Sequence, residues 1–416
     1  MANYWMFSDS TIFDNGIYGA NAADITVDSQ NNVWSAGLAP SDGGNLNDIT
    51  TWEVSPTGNL LLRIRLAFSS TSFENGTGIG IGSDDAIYVT GYRGTTPYSL
   101  VTAKYNNQGT LIWQRQLTDS NNFFASVVKL DSYDNLCIAA QLRINASLLG
   151  TAVCKYNSSG VLQWQRLITP PTTMSTQAVA VDTGDNIYVS SSVANTIAIF
   201  KYNSGGTVQW QKSVSGPNAS LSSKVNVTDS SDNVYVVGNY TGPSPATNQY
   251  GLVLKLDSSG ARVWEKGLYG TAAENLYFYS SGIDSSENIF AAGNIGGTAV
   301  IAKYDSSGTL LWQRKLVNSY YGVYVNAMTV DSAGDCILCG YTRLSPATNN
   351  SMFNVKLKGD GTGTGTYGAW TYSTATYSET SNQTTISTPS YSEAAGASTD
   401  AAGSLTSAVT AVFGSI

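Results

Sequence analysis

The stretch Val181-Asp182-Thr183-Gly184-Asp185-Asn186-Ile187-Tyr188-Val189, followed by Lys201-Tyr202 and then Trp210-Gln211-Lys212, decides the fold. Each half is two β-rich runs around a short polar turn, which is the sequence form of a hairpin. Asp and Asn hydrogen-bond their own backbone in such turns, and Gly or Asn tolerates positive φ. The first half recurs with its leading residue at Asp28, Gly82 (degenerate), Asp131, Asp182, Asp229, Asp284 and Asp331. The successive gaps are 54, 49, 51, 47, 55 and 47 residues. The second half alternates with it, placing Trp113, Trp164, Trp210, Trp264 and Trp312 after Lys104, Lys155, Lys201, Lys255 and Lys303. A worn copy runs from Val54 to Leu62, and a stretched one reads Lys356-Leu357, Gly361 and Trp370.

Two hairpins per unit make four strands in about 51 residues, and repeated units of that size describe propeller blades. The expectation is an all-β, seven-bladed β-propeller over residues 20–372. A lead at 1–19 precedes it, and a Ser/Thr/Ala-rich extension for attachment follows at 373–416. The fixed place of the Trp residues predicts packing between blades. The Asp turns read as self-capped rather than calcium-binding, because they lack the alternating Asp ligands and distal Glu. Trp5 lies in Tyr4-Trp5-Met6-Phe7, an outer-strand pattern with no blade of its own. It is expected to dock on the seventh blade, next to or in place of the Trp370 strand, because a circular array must tie its ends together.

The pattern Val-Asp-Ser-x-x-Asn-x-Tyr-Val with Lys-Tyr-x-x-Ser-Gly-x-Leu-x-Trp resembles the bacterial β-propeller repeats called SBBP repeats. It is similar also to the Trp-bearing blades of quinoprotein propellers. The resemblance implies the fold and carries no function. Quinoprotein enzymes typically hold calcium and often have a Cys-Cys pair, which is absent here, so no cofactor residues carry over.

The chain has 416 residues, and 21 Lys+Arg against 29 Asp+Glu give a net charge of −8. With no His, Ser-His-Asp and Cys-His catalysis and His-ligated metals are excluded. A sparsely cationic, net negative chain suits neither nucleic acid nor an anionic membrane. The amino terminus lacks the pattern of a secretory signal, and no apolar run approaches a membrane span. Cys336 and Cys339, three apart on a strand-like stretch, face opposite ways and cannot share a metal.

The short turns all fall on one face of such a ring, leaving the long irregular loops on the other. Those loops carry the candidate binding residues Tyr92, Tyr98, Tyr240, Tyr250, Tyr269, Tyr277, Tyr320, Tyr321 and Tyr341, with Tyr279 and Tyr324 nearby. Variable loops on a rigid scaffold are where binding sits, and Tyr offers flat apolar area with a hydroxyl. Glycoside hydrolysis needs paired carboxylates. Asp42, Asp48 and Glu274 are the candidates, and nothing in their spacing brings them together. The lack of an export signal, the Ser/Thr/Asn/Gly/Tyr-rich composition, the few charges and the apolar stretches of the extension resemble bacteriophage virion proteins. This resemblance implies a non-enzymatic virion protein (tail, fibre or capsid surface), made in the host cytoplasm. It binds a host surface glycan, other virion proteins or itself, without cofactor, metal, nucleic acid or membrane. The alternative is a bacterial carbohydrate-active or extracytoplasmic binding propeller.

Overall fold

In the computed structural model the first unit is a four-stranded antiparallel sheet, Asn21–Val27, Val33–Pro40, Asn47–Val54 and Leu60–Leu66, paired in chain order. The structure describes residues 5–7, 21–40, 47–66, 73–94, 97–119, 122–170, 172–216, 221–242, 248–270, 274–320, 322–343, 350–367 and 369–402, with breaks at 382, 388, 390–391 and 396–398. Seven such sheets form a seven-bladed β-propeller, and no helix occurs among the described residues. In each blade the first strand is innermost and packs on the first strands of its neighbours, and the fourth carries the repeat's Trp in every blade but the first, where Leu62 stands in its place.

The first turn folds as its sequence dictates. Asp131 Oδ1 accepts from the backbone N–H of Tyr133 and Asn135, both at 2.9 Å. The residue before the Asn takes positive φ at Asn31, Asp85, Asp134, Asp185, Asp232 and Glu287, and Gly334 serves the last blade. Short polar side chains tolerate that conformation. Its second oxygen meets a buried lysine from the third strand: Lys155 to Asp131 at 2.6 Å, Lys201 to Asp182 at 3.3 Å, Lys255 to Asp229 at 2.9 Å and Lys303 to Asp284 at 2.9 Å. Lys356 pairs with Asp331 in the same way. The carboxylates are thus committed to their own turns and lysines. Burial raises the carboxyls of Asp131, Asp229 and Asp284, but the Asn and Lys hydrogen bonds outweigh it and hold all three below the usual range.

The Trp residues do join blades. Each indole N–H donates to a carbonyl in the third turn of the next blade: Trp113 to Ser158, Trp164 to Ser204, Trp210 to Ser258 and Trp264 to Ser306, all at 3.0 Å, and Trp312 to Gly359 at 3.2 Å. The turn glycine lies against the ring. A Cβ on Gly206, whose φ is +79°, would sit 2.6 Å from the Trp164 indole. A second clasp runs along the Asp turns. Ser132 Oγ donates to Asp185 of the next blade at 2.9 Å, and Ser83 Oγ to Asp134 at 2.6 Å. Ser332 Oγ reaches Asn31 at 2.9 Å, joining the last blade to the first.

Ring closure corrects one assignment. The seventh blade is Gly322–Val330, Cys336–Arg343 and Asn350–Leu357, completed by Trp5–Phe7. Trp5 stands opposite Lys356, the register of Lys155 with Trp164 and of Lys303 with Trp312. Trp370 is therefore not the seventh blade's Trp. It lies in Trp370–Thr374, a fifth strand on blade six, where its ring meets Phe353 at a centroid distance of 5.5 Å. A Lys-to-Trp spacing lengthened by a Gly-Thr run imitated the motif, but the amino-terminal strand takes the edge.

The extension continues as a belt. Trp370–Thr374, Ser378–Ser381, Thr385–Ser387, Ser392–Ala395 and Thr399–Ala402 pair antiparallel with the fourth strands of blades six, five, four, three and two, in that order. The belt covers edges that an open sheet would leave unpaired. Buried Glu265 accepts from the backbone N–H of Gln383 at 2.8 Å, and Gln313 exchanges hydrogen bonds with Tyr377 N and O at 2.8 and 2.9 Å. In blades five and six the residue after Trp is thus a clamp for the belt.

Candidate functional site

The innermost strands line the central channel, and each carries one register shift at the same level. The shifts fall between Ala22/Asp24, Gly76/Gly78, Phe123/Ser126, Thr176/Ala178, Ser223/Val225, Phe278/Ser280 and Val325/Ala327. A β-bulge leaves one residue unpaired and re-aims its side chain. Five of these extra residues, Ala23, Thr77, Gln177, Tyr279 and Asn326, line the channel cavity with Asp24 and Lys129. They differ in type from blade to blade while their backbone position is constant. Burial pushes the Asp24 carboxyl up, against the pull of Lys129 and of the N–H groups of Ile79 and Ile25.

On the loop-bearing side the channel widens into a cleft of about 460 Å3 between blades six, seven and one. It is walled by Tyr279, Tyr324, Tyr341, Asn294, Asn326, Val325 and Ala23. Tyr324 and Tyr341 face each other across two paired strands and stack, with centroids 5.0 Å apart and planes at 17°. Tyr277 and Tyr279 stack at 6.0 Å. Burial, and secondarily Tyr277 and Tyr341, raise the Tyr279 phenol, so it remains a donor at neutral pH. Asn294 bridges blades six and seven: its Oδ1 accepts from Val325 N at 3.0 Å, and its amide donates to Val323 O at 2.5 Å. Asn326 donates to Ala22 O at 2.7 Å. These amides hold the junction in shape, and the phenols supply the aromatic surface. None of the residues walling this cleft is a carboxylate.

The other candidate tyrosines fall into separate groups. Tyr92 and Tyr98 lie in a ladder with Phe73 and Phe124, at centroid distances of 6.2, 5.9 and 5.9 Å, ending under Arg143. Tyr240 and Tyr250 are buried, and Tyr250 stacks on Tyr269 at 4.5 Å. Tyr240 and Tyr250 are blade-five core, which corrects the expectation that they face a ligand: their loop strands place both rings inward. Tyr320 is 72% exposed and stands apart from the cleft. Tyr321 lies outside the described residues, as does Asp42. Of the carboxylates considered for hydrolysis, Asp48 is buried in an ion pair with Arg65 inside blade one. Glu274 sits at the blade-five to blade-six connection, near Tyr377.

Among the described residues no three His, Cys, Asp or Glu side chains are grouped as metal ligands. The four cysteines are free and buried, and burial raises the Cys336 thiol to about 12. Sequence reading pointed to Tyr277, Tyr279, Tyr324 and Tyr341 but missed the bulge itself and the other residues it re-aims, Ala23, Thr77, Gln177 and Asn326. Their only signal is a one-residue phase slip in the inward alternation of each first strand.

Among solved structures with a similar fold are the NanB sialidase from Streptococcus pneumoniae (11% identity, 83% of this chain and 69% of that one, TM-score 0.45). The WD40 domain of SCAP from fission yeast is similar at 9% identity, covering 86% and 95%, with a TM-score of 0.39. Puromycin hydrolase is similar at 10% identity, covering 80% and 60%, with a TM-score of 0.37. No curated protein matches the chain. Residues 22–248, more than half of the sequence, match the PQQ_2 profile, described as outer membrane protein assembly factor BamB, and with its Trp-marked blades the chain belongs to that family.

Proposed function

We propose that this protein is a non-enzymatic binding propeller that takes a neutral saccharide in the Tyr279–Tyr324–Tyr341 cleft. The observation that carries this reading is the cleft itself: three phenols around about 460 Å3, in a wall without carboxylates. Sugar rings present apolar C–H faces and hydroxyls, which stacked phenols match by dispersion and hydrogen bonding. Glycoside cleavage needs two facing carboxylates, and Asp48 is already held by Arg65.

In this reading the chain is a virion component that contacts host glycan through the loop face and neighbouring chains through its rim. Its low charge and Ser/Thr/Asn/Gly/Tyr-rich surface support that placement. The family description favours the alternative, an extracytoplasmic binding propeller of a bacterium. Both share the cleft, and the cellular or particle fraction that contains the chain separates them.

The test is glycan-array binding by the full chain and by Tyr324→Ala and Tyr341→Ala. Binding that either substitution reduces at least tenfold supports the cleft. Binding by neither the parent nor the variants, or equal binding by all three, overturns it. Polysaccharide turnover lost in Glu274→Gln would replace the reading with an enzymatic one.

A further inference from the structure

The belt has a period that the propeller explains. The residues standing opposite Val317, Tyr269, Ser215, Thr169 and Thr118 are Thr371, Ser378, Thr385, Ser392 and Thr399, each seven after the last. The acceptors are equivalent too, each five residues after its blade's Trp. One seven-residue unit therefore advances the chain by one blade, and every unit begins with Ser or Thr.

The next residue at this period is Thr406, and the next blade in the order six, five, four, three, two is blade one. Its fourth strand, Leu60–Leu66, has no fifth strand among the described residues. Its acceptor pattern matches the others. Leu62 occupies the Trp position opposite Glu53, and Leu66 occupies the place of Leu117, Ile168, Val214, Leu268 and Leu316, all buried. One position departs: Arg63 stands where the other blades have the Gln or Glu clamp. Where that clamp is seen, at Gln313 on Tyr377 and Glu265 on Gln383, it acts on residues after the belt strand and not on the strand itself, so strand pairing does not depend on it.

We propose that the open edge Leu60–Leu66 is the docking site for the sixth unit of this same chain, Thr406–Val409, a segment outside the described residues. The period places Ser407 opposite Leu66 and Val409 opposite Ile64. An unpaired strand edge recruits another strand, and a tethered unit does so at high effective concentration.

Amide hydrogen exchange of the full chain and of a chain ending at Ala402, each at two protein concentrations, tests this. Amides of Leu60–Leu66 that face outward should exchange about tenfold or more slower in the full chain, at both concentrations alike. Ala408→Pro in the full chain should remove that protection and leave the outer strands of blades two to six unchanged, which also reports that the ring is folded. Equal exchange in the full and shortened chains overturns the proposal. Protection that appears only at the higher concentration also overturns it, by assigning the edge to a second copy.

Discussion

The two faces of the ring use the same strands to opposite ends. On the turn face, near-copies of one capped turn repeat the same ion pair in five blades and the same clasp to the next blade in six, as in Lys155 with Asp131, Lys255 with Asp229 and Ser132 with Asp185. On the loop face nothing repeats. A tyrosine pair stands at one junction, an aromatic ladder at another and a buried tyrosine stack at a third. Where every blade needs the same contact, identical residues satisfy it, and their substitution damages the ring. Where blades differ, no shared structural need dictates the residue, and recognition has room to act.

The sharpest way to break this contrast is to remove one partner of a turn-face pair. Lys255→Ala leaves Asp229 as a buried, unpaired carboxylate and should cost about 3–5 kcal/mol in urea unfolding, with glycan binding by the surviving fold unchanged. The same carboxylates set the acid limit. Asp131, Asp229 and Asp284 have folded pKa values below their unfolded ones, so their stabilisation is complete above the ordinary carboxylate range near 4 and disappears as pH falls through the folded values. A melting temperature that held constant between pH 5 and pH 2 would contradict that.

Next in size is Gly206→Ala. The new Cβ meets the Trp164 indole from a backbone at φ +79°, so the third turn must shift, and about 2–3 kcal/mol of destabilisation is expected in the same assay.

Blade one offers an internal control. Glu53 takes the place of the repeat's lysine, and burial, with Asp28 adding to it, raises its carboxyl to about 7. A raised carboxyl has the opposite sign: the folded state holds a proton that the unfolded chain releases, so stability falls as pH rises from about 4.5 to 7 and then levels. Glu53→Gln should remove this slope and gain about 1–2 kcal/mol at pH 8 relative to pH 4.5. An unchanged slope would place the proton elsewhere.

The smallest stability effect belongs to the loop face. Tyr341→Ala removes a half-buried ring and should cost about 1 kcal/mol or less in unfolding, while abolishing saccharide binding measured by calorimetry. A large loss of stability there would make the stacked pair a structural device and erase the distinction between the faces.

The amino-acid sequence by itself determined the blade: turn chemistry, strand order within each unit, the number of units and the role of the Trp residues all follow from local pattern repeated seven times. The belt left only a faint trace, because Ser, Thr, Ala and Gly at a period of seven show neither helical nor strand-like hydrophobic alternation and read as a linker. The tertiary structure alone decided which Trp-bearing strand closes the ring. Trp5 and Trp370 carry comparable local signals, but a strand edge admits one partner, and that competition is settled by backbone pairing between residues more than three hundred apart in the chain, Trp5 with Lys356. It likewise decided that Tyr324 and Tyr341 meet at the channel while Tyr240 and Tyr250 turn inward, because Tyr324 stands on an innermost strand with Tyr341 opposite it, whereas Tyr240 and Tyr250 pair on the two middle strands of blade five.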